Sequence, residues 1–503
     1  MENLKELGAP QEFWDYMFQI SKIPRCSEHE EHIRNFIIKE ATAMGFETKL
    51  DTVGNLVVKI PNRESPSKDN LNIILQAHMD MVCEKNEDIR HDFSKDPLSL
   101  KIIEINNEKW LAAEGTTLGA DNGVGLAYNL AIMKKLHEGS LDLGSIDLEL
   151  LFTVDEEQGL TGASKLDKNL IKGKYLLNLD SEDENKFTIG CAGGKVFTVE
   201  VKYDNFNLSE NQTQIIPIRI DISGLQGGHS GTDINKQRGN AIIILNEVLW
   251  KLNAKYNIYV ESVEGGNKSN AIPREAHAIL YIDKSQFDEI KLFTNDLYHN
   301  FKKLYAGSDS NLNMAIDLVD SPNKVNLFSR DFQQALLDFL YILPNGPVSL
   351  HPTKKGLVHT SLNLGSIHTL EDKIKLQIST RSLSDYDKEL LFEKIETLLK
   401  LSQLDINIII DTVYPSWPPN FDSELVKKVK EVYSKIFNEE AVIRAIHAGL
   451  ECAYFSYYYP KMEMISLGPI IIGNHSPDER LKIASAKKVW KFLIELLRHL
   501  NED

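Results

Sequence analysis

Four short apolar runs in this chain break off into acidic residues or histidine, and that pattern constrains the fold more than any other feature. LNIIL at 71–75 leads into Gln76-Ala77-His78, with Asp80 two residues on. IDLELLFTV at 146–154 leads into Asp155-Glu156-Glu157, and YLLNL at 175–179 into Asp180 and then Glu182. MEMISL at 462–467 is followed by Gly468-Pro469 and, further on, His475. The runs have strand length, and helical signals separate them. Residues 12–21 and 30–44 show a 3.6-residue period, with Gly45 as a C-cap for the second. Residues 124–137 read as a helix begun by Asp121-Asn122 and stopped at Gly139, and 484–500 as an amphipathic helix. Apolar strands alternating with helices predict a mostly parallel α/β sheet covered on both faces.

The middle of the chain has another texture. Residues 215–223 alternate apolar and polar side chains, 241–252 are helical, and 276–282 and 373–379 are strand-like. This predicts an α+β domain inserted into the first one. At 503 residues the chain is too long for one core. The expected division is a catalytic domain in two parts, 1–196 and 416–503, around an inserted domain at 197–415. Tyr414-Pro415-Ser416-Trp417-Pro418-Pro419 reads as the returning linker.

In open parallel sheets, ligands bind beyond the carboxyl ends of the strands. The residues that follow each run are therefore the informative ones. Singly they have ordinary explanations: a core-edge His-x-Asp pair, a solvated Glu-Glu turn, Asp121 as a helix N-cap, His475 as a loop residue. Together at the ends of several strands they would repel one another unless a cation sat among them. Histidine with carboxylates suits zinc, and His78, Asp121, Glu157, Asp180 and His475 are enough for two ions. Asp80 falls on the same side of an extended chain as His78, so it can hold the ring N–H of that imidazole. Glu156 and Glu157 point differently, so one can ligate while the other faces water.

Composition narrows the function classes. Lysine plus arginine at 56 against aspartate plus glutamate at 73 leaves a net charge of −17, which repels nucleic acid and anionic lipid. No apolar run reaches transmembrane length, and the first 25 residues lack the apolar core of a signal peptide. The glycine-rich 190–194 and 227–231 match no phosphate-binding pattern. Cys26, Cys83, Cys191 and Cys452 form no CxxC pair, which predicts a reducing, cytoplasmic compartment with no disulfide framework and Cys83 as a buried thiol.

A longer set of strings carries a resemblance: IPRCSEHE (23–30), QAHMDMVCEK (76–85), GTTLGADNGVG (115–125), FTVDEEQGLTGA (152–163) and NLDSEDE (178–184). IGCAGG (189–194), GGHSGTDI (227–234), RGNA (238–241), GGNKSNAIPREA (265–276), HAGLEC (447–452) and HSPDER (475–480) follow in order. The chain resembles the aminoacyl-histidine dipeptidases, also called cytosol non-specific dipeptidases, of the zinc-dependent dipeptidase and carboxypeptidase superfamily. The resemblance implies one zinc on His78, Asp180 and a bridging Asp121, and a second on Glu157, His475 and the same Asp121, with cobalt or manganese as substitutes. It implies Glu156 as general base for water attack on a dipeptide such as β-alanyl-histidine, and Asp80 as the carboxylate orienting His78. It implies that the inserted domain is a lid that joins two subunits in a homodimer. His229 would stabilise the transition state, with Asn270 and Arg381 binding substrate. A tripeptidase or an N-acyl amino acid deacylase of the same superfamily remains an alternative, as does a non-catalytic metal- or peptide-binding protein.

Overall fold

The computed structural model describes residues 7–62, 70–203, 205–206, 214–320 and 326–501. They divide into two units. The first comprises the described residues up to Cys191, with Trp417–Ala445 and those from Leu450 onward; the second comprises Ala192–Ser416 and Ile446–Gly449. The expected edges at 197 and 415 differ from these by a few residues. Residues 446–449, expected in the catalytic domain, belong with the second unit, where Ala192 N–H donates to the Ile446 carbonyl.

The first unit is built on an eight-stranded mixed sheet. Its order is Glu47–Leu50, Leu56–Ile60, Ile146–Thr153, Leu71–His78, Tyr175–Asn178, Glu463–Ser466, Lys186–Cys191 and Val442–Ile446. The four apolar runs are the four central neighbours, and they pair in parallel. Ile73, Leu75, Leu148, Leu150 and Leu177 enter one large core with the helices Gln11–Ile20, Ala120–His137 and Ile483–Leu500. Ile74, Leu151 and Leu176 are fully buried outside that core, so both faces are covered. Each such side chain contributes about 1.5–3 kcal/mol on burial. That two-sided burial is why these strands carry no alternation to read.

The second unit has a nine-stranded sheet whose pairings are antiparallel. In the Ile215–Ser223 strand, Ile218, Ile220 and Ile222 are buried while Arg219 and Asp221 reach the more open face. The helices Ala241–Lys255, Phe287–Leu304 and Arg330–Ile342 supply the rest of its core. Asn240 and Ser329 cap the first and third of these by accepting backbone N–H bonds.

The cysteines require a correction. Cys26 and Cys83 form a disulfide across 57 residues of sequence, with their Cα atoms 5.7 Å apart. A parallel bridge between Cys26 and Met81 lays the two segments side by side, a tertiary pairing that spacing alone does not reveal. Cys191 and Cys452 are buried and take no part in that disulfide. Among the described residues, no helix is long and apolar enough to cross a membrane.

Candidate metal centre

The parallel strands deliver their terminal residues to one place. His78 is the last residue of its strand and is fully buried. Its Nε2 lies 2.9 Å from Asp121 Oδ1 and 3.3 Å from Asp180 Oδ1. On the other side of Asp121, His475 Nε2 lies 3.3 Å from Asp121 Oδ2 and 3.0 Å from Glu157 Oε2. Asp121 thus offers one oxygen to each of two three-residue sets, His78/Asp121/Asp180 and Asp121/Glu157/His475.

How Asp121 is freed for this was not legible in sequence. Taken alone, an aspartate at this position reads as the N-cap of the helix that follows, a role that could coexist with metal binding. Instead Asn122 Oδ1 accepts the Gly125 N–H at 3.0 Å, and the Asp121 carboxylate is left to the histidines. The Asp121–Asn122 peptide bond is cis. The backbone N–H groups of Leu118, Gly119, Ala120 and Asp121 all point at the Glu479 carboxylate, at 2.7–3.3 Å. Gly119 is needed there: its φ is +65°, and a Cβ would fall 2.5 Å from Arg25 Nη2. Buried Arg25 in turn donates to the carbonyls of Met79, Asp80 and Gly119. Glu479 and Arg25 stand in strings that marked the resemblance, but no role was read for either.

Asp80 sits behind the site. Its Oδ1 is 3.2 Å from His78 Nδ1, as an extended chain predicts, which leaves Nε2 to face the other carboxylates. It also accepts from the N–H groups of Glu156 and Glu157, at 3.0 and 3.1 Å, and from Ser27 Oγ at 2.8 Å. One carboxylate therefore fixes both the imidazole and the start of the Glu156–Gly159 turn.

The electrostatics show a site that needs positive charge. Burial disfavours a charged His78, yet Asp180, Asp121 and Asp80 push it well above the ordinary imidazole value. Hydrogen bonds to Asp121 and Glu157 raise His475 to about 11. Burial raises Asp180 to about 7. Glu156 is pushed well above the carboxylate range by burial, with Asp180 and Glu451 adding to the rise. Glu157 Oε1 is buried with no hydrogen-bond partner among the described residues. Two imidazole nitrogens and three carboxylates, with ligand atoms within 4.8 Å in each set, fit divalent ions of the zinc type.

Against this geometry, the model of peptidase family M20/M25/M40 matches residues 74–499. The chain belongs to that family. Like its other members, this M20 protein works with divalent metal. It is 35% identical over 505 residues to the cytosol non-specific dipeptidase of Escherichia coli K12, covering 99% of each chain. It is similar to the crystal structure of aminoacylhistidine dipeptidase from Vibrio alginolyticus, with a TM-score of 0.89, 34% identity and 99% of each chain covered. A tripeptidase from Staphylococcus aureus has a TM-score of 0.60 at 15% identity and shares the fold alone.

The remaining candidates lie in the second unit. His229 N–H donates to Asp233 Oδ2 at 3.0 Å, and the ring Nδ1 accepts from Gly231 and Thr232 N–H at 3.2 and 3.1 Å. That network places the ring hydrogen on Nε2. Burial and nearby Arg381 lower the pKa of His229, so it stays neutral. Arg381 is 7% exposed and donates through Nη1 to the Tyr414 hydroxyl at 2.6 Å, while its Nε is buried without a partner among the described residues. Asn270 is exposed; its carbonyl accepts the Ser230 N–H at 2.8 Å beside the Gly228–His229 strand. His447, to which no role was given, is buried with Nε2 2.7 Å from Ser361 Oγ, and burial and Arg381 lower it to about 3.

Proposed function

We propose that this chain is a dipeptidase with two zinc ions per subunit, cleaving Xaa-His dipeptides such as β-alanyl-histidine and other dipeptides. The observation that carries the reading is Asp121, one carboxylate shared by two sets of histidine and carboxylate. His78, Asp180 and Asp121 would hold one ion, and Glu157, His475 and Asp121 the other; cobalt or manganese can replace zinc. Two divalent ions held there would supply Lewis acidity and lower the pKa of water toward neutral pH. Full-length identity to a dipeptidase supports the substrate class, and that relative's name supports a cytosolic location.

Glu156 is the general base. It takes the proton of the attacking water and returns it to the leaving amine nitrogen, a task suited to a carboxyl that burial holds above the ordinary carboxylate range. Asp80 holds the His78 ring and the backbone of Glu156 in place. His229, neutral with Nε2–H available, donates to the oxyanion, and Arg381 pairs with the free carboxylate of the dipeptide. Asn270 contacts the substrate backbone. The working form is a homodimer in which the second unit of one copy serves its partner. Mixing His229→Ala with Glu156→Ala protein should then restore activity after subunit exchange, and no recovery would place His229 within its own chain.

The test of the activity is a substrate panel. Metal-stripped protein should be inactive, and zinc, cobalt or manganese should restore cleavage of β-alanyl-histidine and other dipeptides. A tripeptide and an N-acetyl amino acid should be poor substrates. Faster cleavage of either, or full activity after chelation, would overturn the reading.

A further inference from the structure

Near the metal centre lies a buried carboxyl to which no contact with ion or substrate has been given above. Glu451, 1% exposed, stands immediately before the Cys452–Tyr458 helix. Its Oε2 accepts from Gln76 Nε2 at 2.6 Å and from Thr153 Oγ1 at 2.9 Å. Gln76 Nε2 is also 3.1 Å from Thr153 Oγ1, and Gln76 Oε1 accepts from Asn178 Nδ2. All four residues are at most 1% exposed. The row crosses the strands Ile146–Thr153, Leu71–His78 and Tyr175–Asn178, which are neighbours in that order.

The positions along those strands give the row its meaning. Gln76 is two residues before His78, and Asn178 two before Asp180. In an extended chain, residues two apart share a face, so a shift of Gln76 or Asn178 carries the ligand with it. Thr153 precedes Glu156 by three. Glu451 Oε2 thus ties two strands directly, at Gln76 and Thr153, and the third through the Gln76–Asn178 bond, just below the point where each presents a site residue. Burial holds Glu451 up at about 8, so the neutral acid suffices to accept both bonds.

We propose that Glu451 is a positioning residue for the cation held by His78 and Asp180. The proposal rests on the two-ion reading above. The bonds it uses are hydrogen bonds of partners that a glutamine can also accept, whereas an alanine accepts none. The expected size follows from the effect of outer residues on metal affinity, about tenfold to 100-fold.

The test is stepwise cobalt(II) titration of metal-stripped protein, followed by absorption and by competition with a chelator. Wild type should bind two equivalents. Glu451→Ala should bind one of them about tenfold to 100-fold more weakly and change its absorption spectrum, and this should be the equivalent that His78→Ala weakens and not the one that Glu157→Ala weakens. Glu451→Gln should return the affinity to within about threefold. Thr153→Val, which removes one bond and keeps the shape, gives a milder form of the same loss if Glu451→Ala does not fold. Wild-type affinity and spectrum in Glu451→Ala, or equal weakening of both equivalents, would overturn the proposal. So would a fall in melting temperature that is the same with and without cobalt while affinity is unchanged. If His78→Ala itself left cobalt binding intact, the two-ion reading would fail instead.

Discussion

The acidic end of the first unit and the surroundings of Arg381 in the second solve opposite electrostatic problems with the same few residue types. In the first, strand ends bring Asp121, Glu157 and Asp180 against two imidazoles, and the carboxylates force both rings above their ordinary pKa. In the second, burial lowers both His229 and His447, and nearby Arg381 lowers them further. A histidine among acids is thus a seat for a cation, while a histidine beside a buried guanidinium is a neutral hydrogen-bond donor or acceptor. Residue type does not decide the role; the sign of the neighbouring charge does.

The sharpest way to break that contrast is at the paired glutamates of the acidic end. Glu156→Ala should cut turnover by about two to four orders of magnitude while both metals stay bound, because a positioned base contributes that much. Glu157→Ala should instead release one metal and lower the melting temperature, since bound metal stabilises the fold. Elemental analysis and thermal melts separate the two. Metal loss from Glu156→Ala alone would reverse their roles.

A smaller effect is expected on the basic side. Arg381→Ala should raise KM for dipeptides by about tenfold to 100-fold, the worth of a charge-assisted bond of roughly 1.5–3 kcal/mol. It should leave metal content unchanged and should matter little for a C-terminally amidated dipeptide. An equal KM increase for the amide would detach Arg381 from the carboxylate.

The smallest effect sharpens the contrast through pH. His447 is held at about 3, below its unfolded value near 6.5. A lowered histidine stabilises the fold fully above the unfolded value, and that stability is lost as pH falls from there toward about 3. His447→Gln should therefore flatten the acid side of the melting-temperature profile, by about 2–4 °C between pH 6.5 and 4. A parallel profile with an unchanged slope would show that the ring does not titrate differently on folding.

Much of the acidic site was legible because its residues follow apolar runs of strand length, where strand direction turns sequence order into position. His78, Glu156, Glu157 and Asp180 could be found this way, and the structure brings them together with Asp121 and His475. The supporting residues could not. Arg25, Glu479 and Glu451 lie 54 to 375 residues from the groups they hold. A buried arginine or glutamate looks in sequence like any solvated one. Only the string HAGLEC and its companions marked these positions, without saying what the side chains touch. The disulfide was missed for the same reason, because Cys26 and Cys83 meet through a bridge between distant loops.

What the sequence determined alone was where its short apolar runs lie, and with them the central parallel strands and the residues that follow them. Such runs are local, so they can be read without knowledge of the fold. What only the tertiary structure decided was which side chains share one low-dielectric space. There a carboxylate's neighbours determine whether Asp121 caps a helix or bridges two histidines, because Asn122 Oδ1 takes the cap and leaves Asp121 to the charges around it.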